Sequence, residues 1–321
     1  MAQFEHKFID TNGIRMHYVE AGAGPLVVLC HGFPESWYSW RHQLQALAAS
    51  GFRVVAPDQR GYGQTTAPDA IDAYHIFNLT GDIVGLVNGL GASGAAIVGH
   101  DWGAPVAWHC ALLRPDLFYA CGLLSVPYFP RPPLKPSNLW TMLEGADRIH
   151  YQHYFQEPGV AEADFERDVR ASMKKILFGA SGDAPPSGEF SFLLPRGQRM
   201  FDLMPEPSTL PSWLTEADID FFAGEFKRSG IRGGLNWYRN IDRNWELTPF
   251  LDGAKLRQPS MFAAGEHDVV LKMLPLKVQD LVGSQMPACR SCTVIPGVGH
   301  WIQQERPDEV NRLLLEFLKG L

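Results

Sequence analysis

Gly99-His100-Asp101-Trp102-Gly103 follows directly on the apolar run Ala95-Ala96-Ile97-Val98. A buried strand that ends in Gly-x-Asp-x-Gly and passes into a helical pattern describes a nucleophile elbow, a sharp and strained strand-to-helix turn that presents its central side chain at the tip. A side chain at position 99 or 103 would collide with the backbone of that turn. The pentapeptide therefore fixes a strand before it, a helix after it, and Asp101 as the exposed group between them.

The rest of the chain extends this pattern. Ile14 to Val19 alternates like a strand, and Pro25 to Cys30 and Arg53 to Pro57 are short apolar runs of the kind buried on both faces. Leu117 to Leu124, Pro259 to Ala264 and Cys292 to Ile295 continue the series. Helical periodicity lies between them, at Trp37 to Ala49, His75 to Leu90, Ala104 to Leu113 and Pro307 to Leu318. Strands alternating with helices predict an α/β protein with a mainly parallel, doubly wound sheet. The alternation breaks over residues 128–248, which are rich in aromatic residues and helix-like pieces without a strong strand signal. Pro185, Pro186, Pro195, Pro205, Pro207 and Pro211 predict a long connection inside it. We expect a core of residues 1–127 and 249–321 and an inserted helical cap of residues 128–248. The cap would lie over the C-terminal edge of the sheet, where open α/β sheets bind ligands.

The identity of the elbow residue narrows the chemistry. A serine attacks acyl carbon, whereas a carboxylate suits displacement at sp³ carbon and leaves an alkyl ester that water must cleave. Asp101 thus points to epoxides or alkyl halides, and away from ordinary esters and peptides. Three further features stand where such a reaction needs them. His31-Gly32-Phe33-Pro34-Glu35 follows the run ending at Cys30, and a loop there can supply one N–H of an oxyanion hole. We assign the donors to Phe33 and to Trp102, the residue after the nucleophile. Glu266 and Asp268 follow the strand ending at Ala264, and either carboxylate could orient a histidine; spacing does not choose between them. His300 follows the last strand behind Gly297-Val298-Gly299 and is the candidate base. His31 is expected to bond within its loop, and His100 to point away from Asp101.

Other features exclude function classes. The formal charge is −7 and no basic block occurs, so a nucleic-acid partner is not expected. No apolar stretch approaches the roughly 20 residues of a membrane span. Met1 to Lys7 has no apolar leader, and five cysteines, an odd number, fit a reducing cytoplasm. Gly89 to Gly94 matches the dinucleotide pattern G-x-G-x-x-G, but it follows a helix and precedes a strand, the reverse of the required order. Cys289 and Cys292 form a lone C-x-x-C, and His150 and His153 share a helical face without a third ligand. No metal or cofactor is expected, and oligomeric state is not legible.

Together these residues resemble the epoxide hydrolases of the α/β-hydrolase fold, especially the hydrolase domain of the soluble epoxide hydrolases, over nearly the whole chain. His31 to Trp37 is similar to the family's oxyanion loop, Asp58-Gln59-Arg60-Gly61-Tyr62-Gly63 to its following loop, and Gly99 to Gly103 to its Asp elbow. Tyr151 to Gly159 and Asn236 to Asn240 resemble the segments carrying the family's paired cap tyrosines. The resemblance gives those roles to Tyr151 and Tyr238, selects Asp268 over Glu266, and implies a cis Phe33-Pro34 bond. No segment matches the phosphatase domain that animal relatives often carry, so that activity is not expected.

The resemblance implies a two-step reaction with epoxide and water as the small-molecule partners. Asp101 attacks an epoxide carbon while Tyr151 and Tyr238 donate to the oxygen. His300, oriented by Asp268, then activates water against the ester. A phenol, with an ordinary pKa of about 10, stays protonated at neutral pH and can make such a donation. Phe33, Trp102, Gln152 and Trp301 are the expected substrate-pocket residues, with Trp140, Phe155, Phe192 and Trp213 shaping the pocket. Two alternatives remain: a haloalkane or haloacetate dehalogenase of the same fold, and a non-catalytic ligand-binding protein using the cap pocket.

Overall fold

The computed structural model describes residues 4–185, 192–274 and 276–321. Residues 1–3, part of the leader argument, and Pro186 lie outside the described residues. The strands are β1 (Glu5–Thr11), β2 (Ile14–Ala21), β3 (Leu26–Cys30), β4 (Arg53–Pro57), β5 (Ala95–His100), β6 (Phe118–Leu124), β7 (Arg148–His150), β8 (Leu193–Pro195), β9 (Ser260–Gly265) and β10 (Cys289–Ile295). Among the described residues, eight of them form one sheet in the order β1-β2-β4-β3-β5-β6-β9-β10. Pairing is parallel from β4 across to β10, and β1 and β2 add an antiparallel edge.

The apolar runs of β3, β4, β5 and β9 are buried on both faces, and the pleat sorts the strand residues. Val28, Val55, Ile97, Leu123 and Phe262 pack on one side, with the helices Ile76–Gly89 and Gly103–Leu113. Val27, Leu29, Val54, Val98 and Met261 pack on the other, with the helices Arg41–Ala49 and Pro307–Lys319. Burying an aliphatic side chain of this kind contributes roughly 1.5–3 kcal/mol. The two helical faces make the sheet doubly wound, as the alternation predicts.

The differences from expectation are local. The sequence did not suggest β1, whose burial alternates weakly and whose Phe8 is exposed, because an edge strand needs no apolar run. Trp37 to Ala49 is not one helix. Trp37–Trp40 is a 3-10 turn in which the Ser36 side chain accepts from the Tyr38 N–H, and the α-helix starts at Arg41. The G-x-G-x-x-G match ends a helix: Gly91 has φ +70°, and the Gly91 and Ala92 N–H groups close onto the Asn88 and Val87 carbonyls.

Between β6 and β9 no described residue joins the large sheet. The segment is mainly helical and includes Pro136–Leu143, Val169–Gly179, Glu216–Ser229, Arg232–Arg239 and Ile241–Leu247. It does contain a strand pair that the sequence reading lacked: β7 and β8 are antiparallel, three residues each and too short for a periodic signal. The segment meets the loops that leave the C-terminal ends of the parallel strands. Phe33 after β3 packs on Phe155, the Arg60 carbonyl after β4 accepts from the Trp237 indole, and the His300 N–H after β10 donates to the Ala180 carbonyl.

Candidate active site

The elbow is as tight as its glycines imply. Asp101 has φ +49°, in the left-handed region that non-glycine residues rarely adopt. A Cβ on Gly99 would lie 2.0 Å from the Gly103 carbonyl oxygen, and one on Gly103 2.0 Å from that of Cys30. A Cβ on Gly32 would lie 2.4 Å from Asp101 Oδ1. Without it the loop after β3 closes in, and the Phe33 N–H donates to Asp101 Oδ1 at 2.8 Å. The Phe33-Pro34 bond is cis. Trp102 is the N-cap of the helix Gly103–Leu113, where backbone N–H groups have no intrahelical partner.

His300 and Asp268 converge on the elbow from β10 and β9. His300 Nε2 lies 3.5 Å from Asp101 Oδ2, and its Nδ1 donates to Asp268 at 3.0 and 3.1 Å. Asp268 is fully buried and also accepts the Val270 N–H. Glu266, the competing carboxylate, is exposed and accepts from the Gly297 N–H instead. Burial alone would push the His300 pKa down, but Asp268 and then Asp101 hold it well above the ordinary 6.5.

A second buried layer fixes the His300 backbone. Its carbonyl accepts from His100 Nε2 at 2.8 Å and from the Ser125 hydroxyl at 2.7 Å. His100 Nδ1 meets Glu35 Oε2 at 2.7 Å, so His100 faces away from the Asp101 carboxylate. Burial would raise the Glu35 pKa, but His100 holds that carboxyl below the usual carboxylate range. His31 bonds to the Gly32 carbonyl in its own loop and also accepts the Gln59 N–H. The sequence reading overlooked Glu35 and Ser125, although Glu35 stands inside a segment that it singled out.

Tyr151 and Tyr238 come from opposite ends of the insertion, and their rings lie 6.1 Å apart. Tyr151 follows β7, and its N–H donates to the Phe192 carbonyl at 2.8 Å. Tyr238 sits on Arg232–Arg239, a helix that meets the Asp58–Gly63 loop backbone to backbone: a Cβ on Gly233 would be 2.4 Å from the Gly61 oxygen. Arg239 pairs with both Glu162 oxygens, at 2.8 and 2.9 Å, and Gln156 donates to the Gln152 and Tyr238 carbonyls. These bonds tie the two tyrosine segments together. Burial, and then the Asp101 charge, push both phenol pKa values above the ordinary 10. Both stay protonated donors at neutral pH.

Two cavities meet at Asp101. One of about 450 Å³ is lined by Trp102, Trp108, Gln152 and Leu274 among others, and a smaller one of about 60 Å³ by Phe33, Phe155, His300 and Trp301. Asp101, Tyr151, Tyr238 and Phe192 line both. All four expected pocket residues therefore border a cavity. Trp140 and Trp213 line neither of these two: Trp140 stacks on His150, and the Trp213 indole donates to Asp183.

His153 pairs with Glu144, and the Gln152 N–H donates to His150. Among the described residues no cluster of three or more His, Cys, Asp or Glu could hold a metal ion. All five cysteines are free. No helix of the described residues is long and apolar enough to cross a membrane.

Comparison with known proteins gives a consistent result. Residues 25–172 match the family described as alpha/beta hydrolase fold. Epoxide hydrolase A of Mycobacterium tuberculosis is 45% identical over 317 residues, 98% of this chain and 97% of that protein. Epoxide hydrolase 1 of Siraitia grosvenorii is 42% identical over 323 residues, 99% of each chain. The solved structure of an epoxide hydrolase from an endophytic Streptomyces superposes with a TM-score of 0.95 at 48% identity, covering 100% of this chain and 96% of that one.

Proposed function

The chain belongs to the epoxide hydrolases of the α/β-hydrolase fold, and from that premise we propose that it opens an epoxide to a vicinal diol through an ester on Asp101. The observation that carries this is the meeting of three groups at one point: the Asp101 carboxylate, the Asp268–His300 pair 3.5 Å from it, and two protonated phenols lining the same cavities.

Asp101 Oδ2 attacks one epoxide carbon and the ring C–O bond breaks. Tyr151 and Tyr238 donate to the departing oxygen, a general-acid contribution of about 10²–10⁴-fold. Oδ1 keeps the Phe33 hydrogen bond and becomes the ester carbonyl. Esterification removes one of the two carboxylate charges that raise the His300 pKa, so His300 gives up its proton, which replaces the one the phenols delivered to the ring oxygen, and can then act as a base. Water then adds to the ester carbonyl carbon, His300 Nε2 takes its proton, and the Phe33 and Trp102 N–H groups meet the oxyanion. A single such donor is worth about 10²–10³-fold. The ester C–O bond breaks, the proton passes to the diol oxygen, and Asp101 is restored.

Residues 128–248 act as the cap that supplies the phenols, on a core of residues 1–127 and 249–321. A cytoplasmic location fits five free cysteines. The test is a His300→Gln variant incubated with an aryl epoxide. Protein heavier by one substrate mass, on the peptide containing Asp101, is expected; no mass gain with bound substrate refutes covalent attack. Halide release from haloalkanes or fluoroacetate, in place of diol formation, would favour the dehalogenase instead. Ligand binding without turnover would favour a non-catalytic receptor.

A further inference from the structure

Glu305 ends the short helix Ile302–Glu305, five residues past His300, and touches none of the reacting groups described above. It is buried, with 5% of its surface exposed. Its Oε2 accepts the Gly299 and Gly182 N–H groups, both at 2.9 Å, and its Oε1 accepts the Trp301 N–H at 2.9 Å. Gly299 and Trp301 flank His300 in the chain, whereas Gly182 belongs to the insertion. Burial pushes the Glu305 pKa up, and the three N–H donors oppose that shift. A buried carboxylate is costly unless its oxygens are satisfied, and here backbone donors from two separate parts of the fold satisfy them.

The contact that Glu305 closes has no room for a side chain. A Cβ on Gly182 would lie 2.3 Å from the Gly297 oxygen, and one on Gly299 2.3 Å from the Gly182 nitrogen. The His300 N–H completes the seam by donating to the Ala180 carbonyl at 2.8 Å. The peptide that carries the base is thus built jointly by the core and by Ala180 to Gly182, and one carboxylate holds both.

We propose that Glu305 is a positioning residue for the water-activating step: it fixes the His300 peptide against the Ala180–Gly182 segment and so sets the rate of ester hydrolysis without affecting ring opening. The inference rests on the ester mechanism above. Asp101, Tyr151 and Tyr238 carry ring opening, and Glu305 bonds to none of them. Hydrolysis needs the imidazole held at one distance and angle from the attacking water, which is what the clamp supplies. A general structural role would slow both steps together; a positioning role separates them.

The experiment is a rapid-quench time course with an aryl epoxide, following the Asp101 adduct by intact-protein mass. Glu305→Gln keeps the side-chain volume but turns an NH₂ towards a backbone N–H, so at least one donor loses its acceptor. Adduct formation should stay within about twofold of the unaltered enzyme. Adduct decay should slow about tenfold to a hundredfold, the range expected for losing a hydrogen bond to a charged group. Gly182→Ala presses on the same seam from the insertion side and should give the same split, so the inference does not depend on one variant folding. Adduct decay at the unaltered rate in both variants, or equal slowing of both steps, overturns it. No adduct at any time in the unaltered enzyme would instead overturn the ester mechanism on which it rests.

Discussion

Replacing Gly99 with Ala tests whether the elbow's geometry, beyond its residues, carries the reaction. The new Cβ would stand 2.0 Å from the Gly103 oxygen, 2.3 Å from the Gly103 carbonyl carbon and 2.6 Å from the Ala104 nitrogen. All three atoms are backbone, so no rotamer change relieves the overlap. Contacts shorter than 3.0 Å are essentially never made by real Cβ atoms, so the turn must open by about 1 Å (3.0 − 2.0). A displacement of roughly 1 Å at a reacting group costs about 10²-fold in rate. Overpacking of this kind costs about 1–3 kcal/mol in stability, or roughly 2–4 °C of melting temperature per kcal/mol for a large domain. Single-turnover alkylation of Asp101 and calorimetry read the two effects separately. A Gly99→Ala enzyme that alkylates within threefold of the unaltered rate and melts at the same temperature would refute the reasoning.

Tyr151→Phe and Tyr238→Phe should each slow ring opening, and the double change should nearly abolish it, because a general acid contributes about 10²–10⁴-fold; an unchanged alkylation rate in the double variant removes the phenols from the mechanism. The His300 pKa gives a pH prediction. Since it is raised in the folded state, its stabilising contribution is complete below the ordinary 6.5 and is lost as pH rises through the raised value. Asp268→Asn removes the largest contribution raising it, so the melting-temperature gap between the two proteins should be widest in mild acid and narrow towards alkaline pH; a gap that widens with pH contradicts the assignment.

The parts of the fold legible in the sequence are those written in short range. Ala95 to Val98 reads as a buried strand because it is apolar on both faces, and Gly99 and Gly103 mark the turn because any Cβ there meets backbone. β1 escaped because an edge strand with alternating polar residues resembles a loop. Glu266 and Asp268 could not be separated by spacing, since the turn after β9 decides which carboxylate faces inward, and only Asp268 bonds to His300. Contacts between distant segments left no trace: Glu305 meets Gly182 across 123 residues, and Gly233 meets Gly61 with nothing in either sequence to announce it. Trp140 and Trp213 show the converse error. Large aromatics in the segment between β6 and β9 invite a pocket role, yet Trp140 stacks on His150 and the Trp213 indole donates to Asp183.

Covalent attack by Asp101 can be separated from direct attack by water in one turnover. Both schemes use the same residues, but in the second Asp101 serves only as a general base. In the ester scheme the oxygen delivered to substrate comes from the Asp101 carboxylate, and solvent replaces it when the ester is cleaved at its carbonyl. Excess enzyme is mixed with epoxide in ¹⁸O-water, and the diol and the Asp101 peptide are weighed after a single turnover. Ester chemistry predicts largely unlabelled diol with ¹⁸O in Asp101; labelled diol with an unlabelled Asp101 contradicts it.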